Sequence, residues 1–359
     1  MALSTQAVYF AAAAMQIGVG LVGVGGIGRH LGWQLRPLSE ARLVGVYDAD
    51  SALAQRAATE LETNVYPSLS AMLNDPAVEA VILATPPHTH YRLGLRILQR
   101  GKHLFCEKPM ALTVEHCDAL IQAAQQAKRI LMVGHVLRLF PLFWQSKQWL
   151  QEGVVGEPVA VHVQRRGYDI RLFGEGWRAD PAKSGGFLVE MNVHELDYLR
   201  WLLGDYEVVA AQGVQPLLKP RYVQHWQALL RFHTGAIGVI EASIMDTLGG
   251  YFVRIVGTEG TLEHTGFSGT IRYKRVDGEE KSLTPEEIGT PEPFMWELRS
   301  FVRAIAYGET PLYDGYDGRM AVANALAVQQ LIEQNLVAQS RSRKRRSKAS
   351  TRLNSSGNL

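Results

Sequence analysis

Three short stretches of the chain carry residues whose types and spacing could do chemistry. The first is "FCEKPM", where the apolar Phe105 and Cys106 give way to Glu107, Lys108 and Pro109. An amine at the end of an apolar strand, if it faces a crevice, can polarise a carbonyl or stabilise an alkoxide. An ordinary Glu-Lys pair would instead be a surface salt bridge. Pro109 favours the crevice, because it fixes the chain direction and biases Lys108 toward an extended conformation.

The second is "SGGFLVEMNVHELDYLRWLLG", Ser184 to Gly204, which reads as a helix from about Gly186 to Leu203. At about 100° per residue, Glu190, His194, Asp197 and Trp201 share one narrow face. Val189, Val193, Leu196, Leu199, Leu202 and Leu203 take most of the rest, so the helix is largely buried and its polar stripe must be satisfied or functional. Three readings are open. The stripe is a buried network in which two carboxylates hold His194, or a metal site of Glu190, His194 and Asp197 that lacks a second histidine. In the third, favoured reading, an imidazole flanked by carboxylates moves the proton that accompanies hydride transfer.

The third is Gly23-Val24-Gly25-Gly26-Ile27-Gly28, a GxGxxG with an apolar run before it, a helical pattern after it, and Asp48 at the end of the next apolar run, 20 residues past Gly28. Gly23 permits a tight turn, Gly25 lets backbone N–H groups approach a pyrophosphate, and Gly28 lets helix and strand pack closely. The helix N-terminus adds partial positive charge. Asp48 can accept hydrogen bonds from a ribose diol and would repel a 2′-phosphate, which favours NAD over NADP. The competing reading is a glycine-rich turn with a capping aspartate.

These groups need elements to hold them. From Met15 to about Val133, "QIGVGLVG", "ARLVGVYD", "AVILAT", "KHLFCE" and "RILMVG" read as strands separated by helical patterns. Near-continuous Val, Ile and Leu in such strands means burial on both faces, so the expected unit is an α/β, doubly wound parallel sheet of the Rossmann type. After Val133 come helical patterns at Pro141 to Glu152 and at the polar-striped segment. Successive strands follow, "EVVAAQGV", "HWQALLRFH", "GAIGVIEASI", "YFVRIVG", "GTLEHT" and "GTIRYKR". Short Gly-containing turns between them imply antiparallel pairing, hence an α+β unit with a large, mostly antiparallel open sheet. Helices at about Pro293 to Tyr307 and Tyr316 to Asn335 complete it. The expected division is a disordered extension at 1–14, a nucleotide-binding domain at 15–137, a substrate-binding and oligomerisation domain at 138–338 and a disordered basic tail at 339–359. Met15 is a candidate start.

Composition excludes several classes. The chain has 359 residues, 47% of them hydrophobic and 20% charged, which suits a soluble protein of two domains. Its early apolar run, Val8 to Met15, is far short of the roughly 20 residues that span a bilayer. Two cysteines, Cys106 and Cys117, make no disulfide framework or metal spacing and point to a reducing, cytoplasmic location. Seven Lys and Arg between Arg341 and Arg352 exceed the whole net charge of +2, so the remainder is mildly acidic and carries no nucleic-acid footprint. No metal, nucleic-acid or membrane partner is expected.

In order, "GVGGIG", "AVILATPPHTHYRLGLRILQRGKHLFCEKPMALT", "GHVLRLFP", "GVVGEPVAV", "GWRADPAKSGGFLVEMNVHELDYLRWLLG" and "VRIVGTEGTLE" resemble the Gfo/Idh/MocA family of glucose-fructose oxidoreductases, inositol dehydrogenases and rhizopine-catabolism proteins, from about Met15 to Gln334. The resemblance implies an NAD(P)-dependent dehydrogenase or reductase acting on a CH–OH carbon of a sugar, polyol, inositol or similar small molecule. It implies that Lys108 is the catalytic lysine of Glu-Lys-Pro, with Glu107 near the nicotinamide ribose, His194 the acid/base and Asp197 a substrate partner. Ile27, Thr85, Pro86, His90, Trp177 and Arg178 fall among its cofactor-binding positions, and Arg138 among its substrate-binding ones. It implies a homodimer or homotetramer joined through the open face of the second sheet. Inositol-dehydrogenase-like members usually carry Asp four residues before the histidine, where this chain has Glu190, and small residues are usual at Asn192. An NAD-dependent glycosidase and a non-catalytic NAD-binding sensor are the alternatives on the same scaffold.

Overall fold

Apolar stretches set most of the strands, and the computed structural model, which describes residues 16–355 and side chains as far as 336, arranges them in two sheets. The first is parallel: β1 (Ile17–Val22), β2 (Ala41–Tyr47), β3 (Asn64–Val65), β4 (Ala80–Leu83), β5 (His103–Cys106) and β6 (Leu131–Val133), in the order β3-β2-β1-β4-β5-β6. Order reverses between β1 and β4, and in doubly wound sheets ligands bind at that switch point, outside the carboxyl ends of the strands. Every residue of β1 and β4 is buried, because helices cover both faces. The two-residue β3 carries too little pattern to read from sequence.

The second sheet has β7 (Pro158–Tyr168), β8 (Tyr206–Val214), β9 (His225–Phe232), β10 (Ile237–Ser243), β11 (Met245–Gly257), β12 (Gly260–His264), β13 (Ile271–Arg275) and β14 (Glu280–Leu283). Their order is β14-β13-β12-β11-β7-β10-β9-β8, antiparallel apart from the parallel pair β7 and β10. The strand reading omits β7, the central one, whose second half, "QRRGY", reads as polar. β9 alternates strictly, Trp226, Ala228, Leu230 and Phe232 inward and Gln227, Leu229 and Arg231 outward, so one face is left open.

Two expectations about the second unit need correction. The helix Pro293–Tyr307 falls within 138–338, yet Leu298, Phe301 and Val302 pack into the core of the first sheet with Phe105 and Met132. Its apolar face is matched by that sheet, not by the one nearer in sequence. The last helix runs Gly315–Ser355 and so continues through much of the stretch expected as a disordered tail. Its Arg, Lys and Ala are good helix formers. Val322 on this helix enters the first unit's core and Ala325, Val328 and Ile332 the second's, which ties the two units together. The extension 1–14 and Met15 lie outside the described residues. Among the described residues no helix is long and apolar enough to cross a membrane.

Candidate active site

At the switch point the chain leaves β1 in a turn that only glycines can make. Gly23 has φ +87°, and a Cβ there would stand 2.7 Å from the Ala84 carbonyl oxygen. A Cβ on Gly28 would lie 1.9 Å from the Gly23 carbonyl oxygen. Gly25 has no atom within 4 Å of its Cβ direction, so no protein atom fills the space beside it. It precedes the helix Gly26–Leu35, whose free N–H groups face that space. Asp48, at the end of β2, accepts from Val24 N and Asp50 N, both at 2.9 Å. These bonds hold its carboxylate beside the glycine loop. An open glycine cradle, a helix N-terminus and a fixed carboxylate fit the pyrophosphate and ribose of a dinucleotide.

A cavity of about 730 Å³ runs from this loop to the second unit. Gly23, Gly25, Ile27, Asp48, Thr85, Pro86, Glu107, Lys108, Trp177, Arg178, Glu190 and His194 line it. Of the other sequence-designated residues, Gly28 packs under the loop, and three are turned elsewhere.

His90 is fully buried behind the wall, with Nδ1 2.9 Å from the Pro109 carbonyl oxygen and Nε2 2.6 Å from that of Thr85. It therefore joins the loop after β4 to the Glu-Lys-Pro turn and touches no cofactor space. Burial holds its pKa down to about 4. Arg138 and Asp197 satisfy each other: Arg138 Nε donates to Asp197 Oδ2 at 2.6 Å, its Nη2 donates to Oδ1, and Nη2 also reaches Asp317 Oδ1 at 3.0 Å. Both are buried and off the cavity lining, so they brace the second unit against the last helix.

The polar stripe divides for a local reason. The helix expected from Gly186 to Leu203 is two, Gly186–Met191 and Val193–Leu203, broken at Asn192 with φ −86° and ψ 1°. Asn192 Nδ2 donates to Glu195 Oε2 at 2.9 Å, while its Oδ1 accepts from Trp226 Nε1 at 3.2 Å. A wheel drawn across that break misplaces Glu190 relative to His194. Glu190 turns to the cations: its Oε1 accepts from Arg178 Nε at 3.1 Å and lies 3.9 Å from Lys108 Nζ, which donates to the Glu190 carbonyl oxygen at 2.9 Å. Arg178 lies over the Trp177 ring, 4.2 Å from its centroid.

His194 is consequently not held by two carboxylates. Its Nδ1 is enclosed without a partner, which leaves Nε2 toward the cavity. Burial, then the positive charges of Lys108 and Arg165, push its pKa well below the ordinary histidine value, so near neutral pH it is a neutral base. Across the cavity Glu107 is pushed up to about 7 by burial, against the opposing pull of Lys108. The site therefore brings a neutral imidazole, an amine and a carboxyl of raised pKa to one cavity. Such a set can accept a hydroxyl proton and steady the oxygen left behind.

Several site residues escaped the sequence reading. Met191, Arg92 and Phe294 line the cavity, and Phe294 arrives from the helix Pro293–Tyr307 with no local signal. Glu195, fully buried and next to His194 in the chain, accepts from Arg165 Nη1 at 2.7 Å and Tyr251 OH at 3.0 Å. Among the described residues no group of three or more His, Cys, Asp or Glu is placed to hold a metal ion.

Comparison with known proteins agrees with this fold. Residues 17–135 match the model of the oxidoreductase family with an NAD-binding Rossmann fold, and residues 143–263 match the Gfo/Idh/MocA C-terminal domain. The 2,7-anhydro-N-acetylneuraminate hydratase of Mediterraneibacter gnavus is 30% identical over 76% of this chain and 73% of its own length. The myo-inositol 2-dehydrogenase of Thermotoga maritima is 26% identical over 88% of this chain and 96% of its own. The solved UDP-N-acetylglucosamine 3-dehydrogenase of Acidithiobacillus ferrooxidans superposes with a TM-score of 0.77 at 25% identity, covering 89% of this chain and 98% of that one. With both of its units matched in order and the cleft between them built as described, the chain belongs to the Gfo/Idh/MocA family of NAD-binding oxidoreductases.

Proposed function

We propose that the chain transfers a hydride between NAD and a carbon bearing a hydroxyl group on a small sugar, polyol or cyclitol, with His194 and Lys108 acting on the substrate oxygen. The observation that carries the reading is that these two side chains reach one cavity from different units, beside a cradle fitted to a dinucleotide. Bound NAD supplies the hydride acceptor. Gly25 and the helix N-terminus bind the diphosphate, and Asp48 takes the ribose diol and disfavours a 2′-phosphate. Trp177 and Arg178 wall the reacting end and exclude water. His194 Nε2 takes the hydroxyl proton, Lys108 Nζ stabilises the oxygen as it becomes a carbonyl, and Glu190 holds that amine in place through its backbone oxygen. The test is a panel of sugars, polyols and inositols followed at the NADH absorbance with NAD and NADP compared. NAD-dependent turnover of at least one supports the reading, and equal use of NADP would remove the role of Asp48.

A second reading has one observation in its favour: the relative that is 30% identical carries a hydratase name. There the same residues would serve a transient oxidation in a net elimination, addition or glycosidic cleavage. Substrate consumption with tightly retained NAD and no net NADH would establish it.

Two further parts belong to this proposal. Leu229, Ile237, Val239 and Val256 are exposed on the open face of the second sheet, with Val239 paired to Leu229, which supports a homodimer or homotetramer joined there. Light scattering behind a sizing column checks it. Cys106 and Cys117 are both free and buried, which supports a cytoplasmic location, to be checked by fractionation.

A further inference from the structure

The wall at the reacting end has an outer side. Trp177 and Arg178 line the catalytic cavity and also a second hollow, of about 630 Å³, on the surface of the second unit. Arg178 Nε donates to Glu190 Oε1 at 3.1 Å, and Glu190 lines the catalytic cavity, so one side chain separates the two spaces. The local sequence builds this hollow. β7 ends at Tyr168, and the short helix Ile170–Gly174 follows it. Phe173 is fully buried in the core of the second unit while Leu172 beside it is exposed, so the helix is pinned by one residue and presents the next. Tyr222 OH reaches the carbonyl oxygens of Phe173 and Arg178, at 2.9 and 3.2 Å, and ties the segment down on both sides of the hollow. Gly176, at φ +58°, makes the turn before Trp177 and Arg178.

The surface so framed is aromatic and rich in acceptors. Tyr168, 61% exposed, stands on it with Leu172 and Trp177. Asp169 precedes the helix without using its carboxylate as a cap, so those oxygens stay available. The charged residues that line the hollow are Asp169, Arg171, Glu175 and Arg178. Both cations have partners: Arg171 lies 3.7 Å from Glu175, and Arg178 is answered from the inner side by Glu190. No cation is left over for a phosphate or a carboxylate, and Asp169 repels either. Ring faces with carboxylate oxygens at their edge suit instead the apolar faces and hydroxyl rim of a pyranose.

We propose that this hollow is a subsite for a second sugar ring, and that the substrate is a neutral glycoside. One ring then lies between His194 and Lys108, and the ring joined to it passes Trp177 and Arg178 to rest on Tyr168, with Asp169 accepting from its hydroxyl groups. This inference rests on the dehydrogenase reading, but its test separates the two.

The holoenzyme is assayed at the NADH absorbance with matched sets: glucose, methyl glucoside and cellobiose; galactose, methyl galactoside and lactose; N-acetylglucosamine, its methyl glycoside and chitobiose. Binding of the same sugars to the NADH complex is measured by titration calorimetry. In at least one set the disaccharide is expected to exceed both the free sugar and the methyl glycoside by about tenfold or more in kcat/KM. Tyr168→Ala and Asp169→Ala, both at exposed positions, melt with the parent. Each raises the disaccharide KM about tenfold, as for loss of one contact to an aromatic face or a charged acceptor, and leaves kcat and the methyl glycoside little changed. If free sugar, methyl glycoside and disaccharide are oxidised alike, if only free sugars are oxidised, or if Tyr168→Ala weakens all three alike, the hollow is no subsite and the inference falls while the dehydrogenase reading stands. If no sugar is oxidised but a disaccharide binds more tightly than its methyl glycoside and loses that advantage in Tyr168→Ala, the subsite stands and the dehydrogenase reading falls. Neither turnover nor a preference in binding would overturn both.

Discussion

Lys108 Nζ donates to the backbone carbonyl oxygen of Glu190 at 2.9 Å, a bond across 82 residues that joins the end of β5 to the helix Gly186–Met191. Because the acceptor is backbone, the amine is aimed by the path of the chain, and the Glu190 carboxylate is left to Arg178.

Lys108→Met keeps the length of the side chain and removes the donor. NAD binding, followed by fluorescence titration, stays within a few-fold of the parent, while turnover of the best substrate falls about 10²–10³-fold, the usual loss of one donor at a developing oxyanion. Comparable turnover in the variant would remove Lys108 from the chemistry.

The glycines of the loop divide by what surrounds them. Gly28→Ala sets a methyl group 1.9 Å from the Gly23 carbonyl oxygen, so its melting temperature drops and cofactor binding goes with it. Gly25→Ala has open space, so it melts with the parent but binds NAD weakly, because the methyl group occupies the diphosphate path. A Gly25→Ala protein with parental affinity would show that the diphosphate lies elsewhere.

Glu107 is an acid whose folded-state pKa, about 7, is raised above its unfolded value, because burial penalises the carboxylate. The folded state thus holds a proton that the unfolded chain releases above about pH 4.3. Stability contributed by that proton is present below the unfolded pKa and is lost as pH rises toward 7. Glu107→Gln is free of this loss. The difference in melting temperature, variant minus parent, therefore grows between pH 5 and pH 7 and then levels off. A difference independent of pH would mean that Glu107 is ionised throughout.

Asp197→Ala tests whether the buried pair with Arg138 is a brace or a substrate contact. Removing one partner leaves a guanidinium buried with only Asp317 to answer it, a loss of about 3–5 kcal/mol in unfolding free energy. Denaturant melts show that loss. An unchanged midpoint with a raised KM would return Asp197 to the substrate.

The sequence by itself determined the first unit, the glycine loop with Asp48, and Lys108, because each depends on neighbours within a strand-turn-helix whose periods and turn residues are local. It singled out His194 too, as a residue type in a largely buried segment that the structure places on the cavity wall. Tertiary structure alone decided which groups meet. Asn192 breaks the helix because its side chain finds Glu195 and Trp226, and that break sends Glu190 to Arg178 and Lys108 instead of to His194. Arg138 and Asp197 lie 59 residues apart and pair as buried charges, which no helical wheel records. β7 was illegible for a related reason. In its polar half Gln164 pairs with Glu241, Arg165 with Glu195 and Arg166 with Asp246, partners that only folding brings to it. Periodicity reports which face a side chain leaves from, while long-range pairing of buried charge decides what it meets.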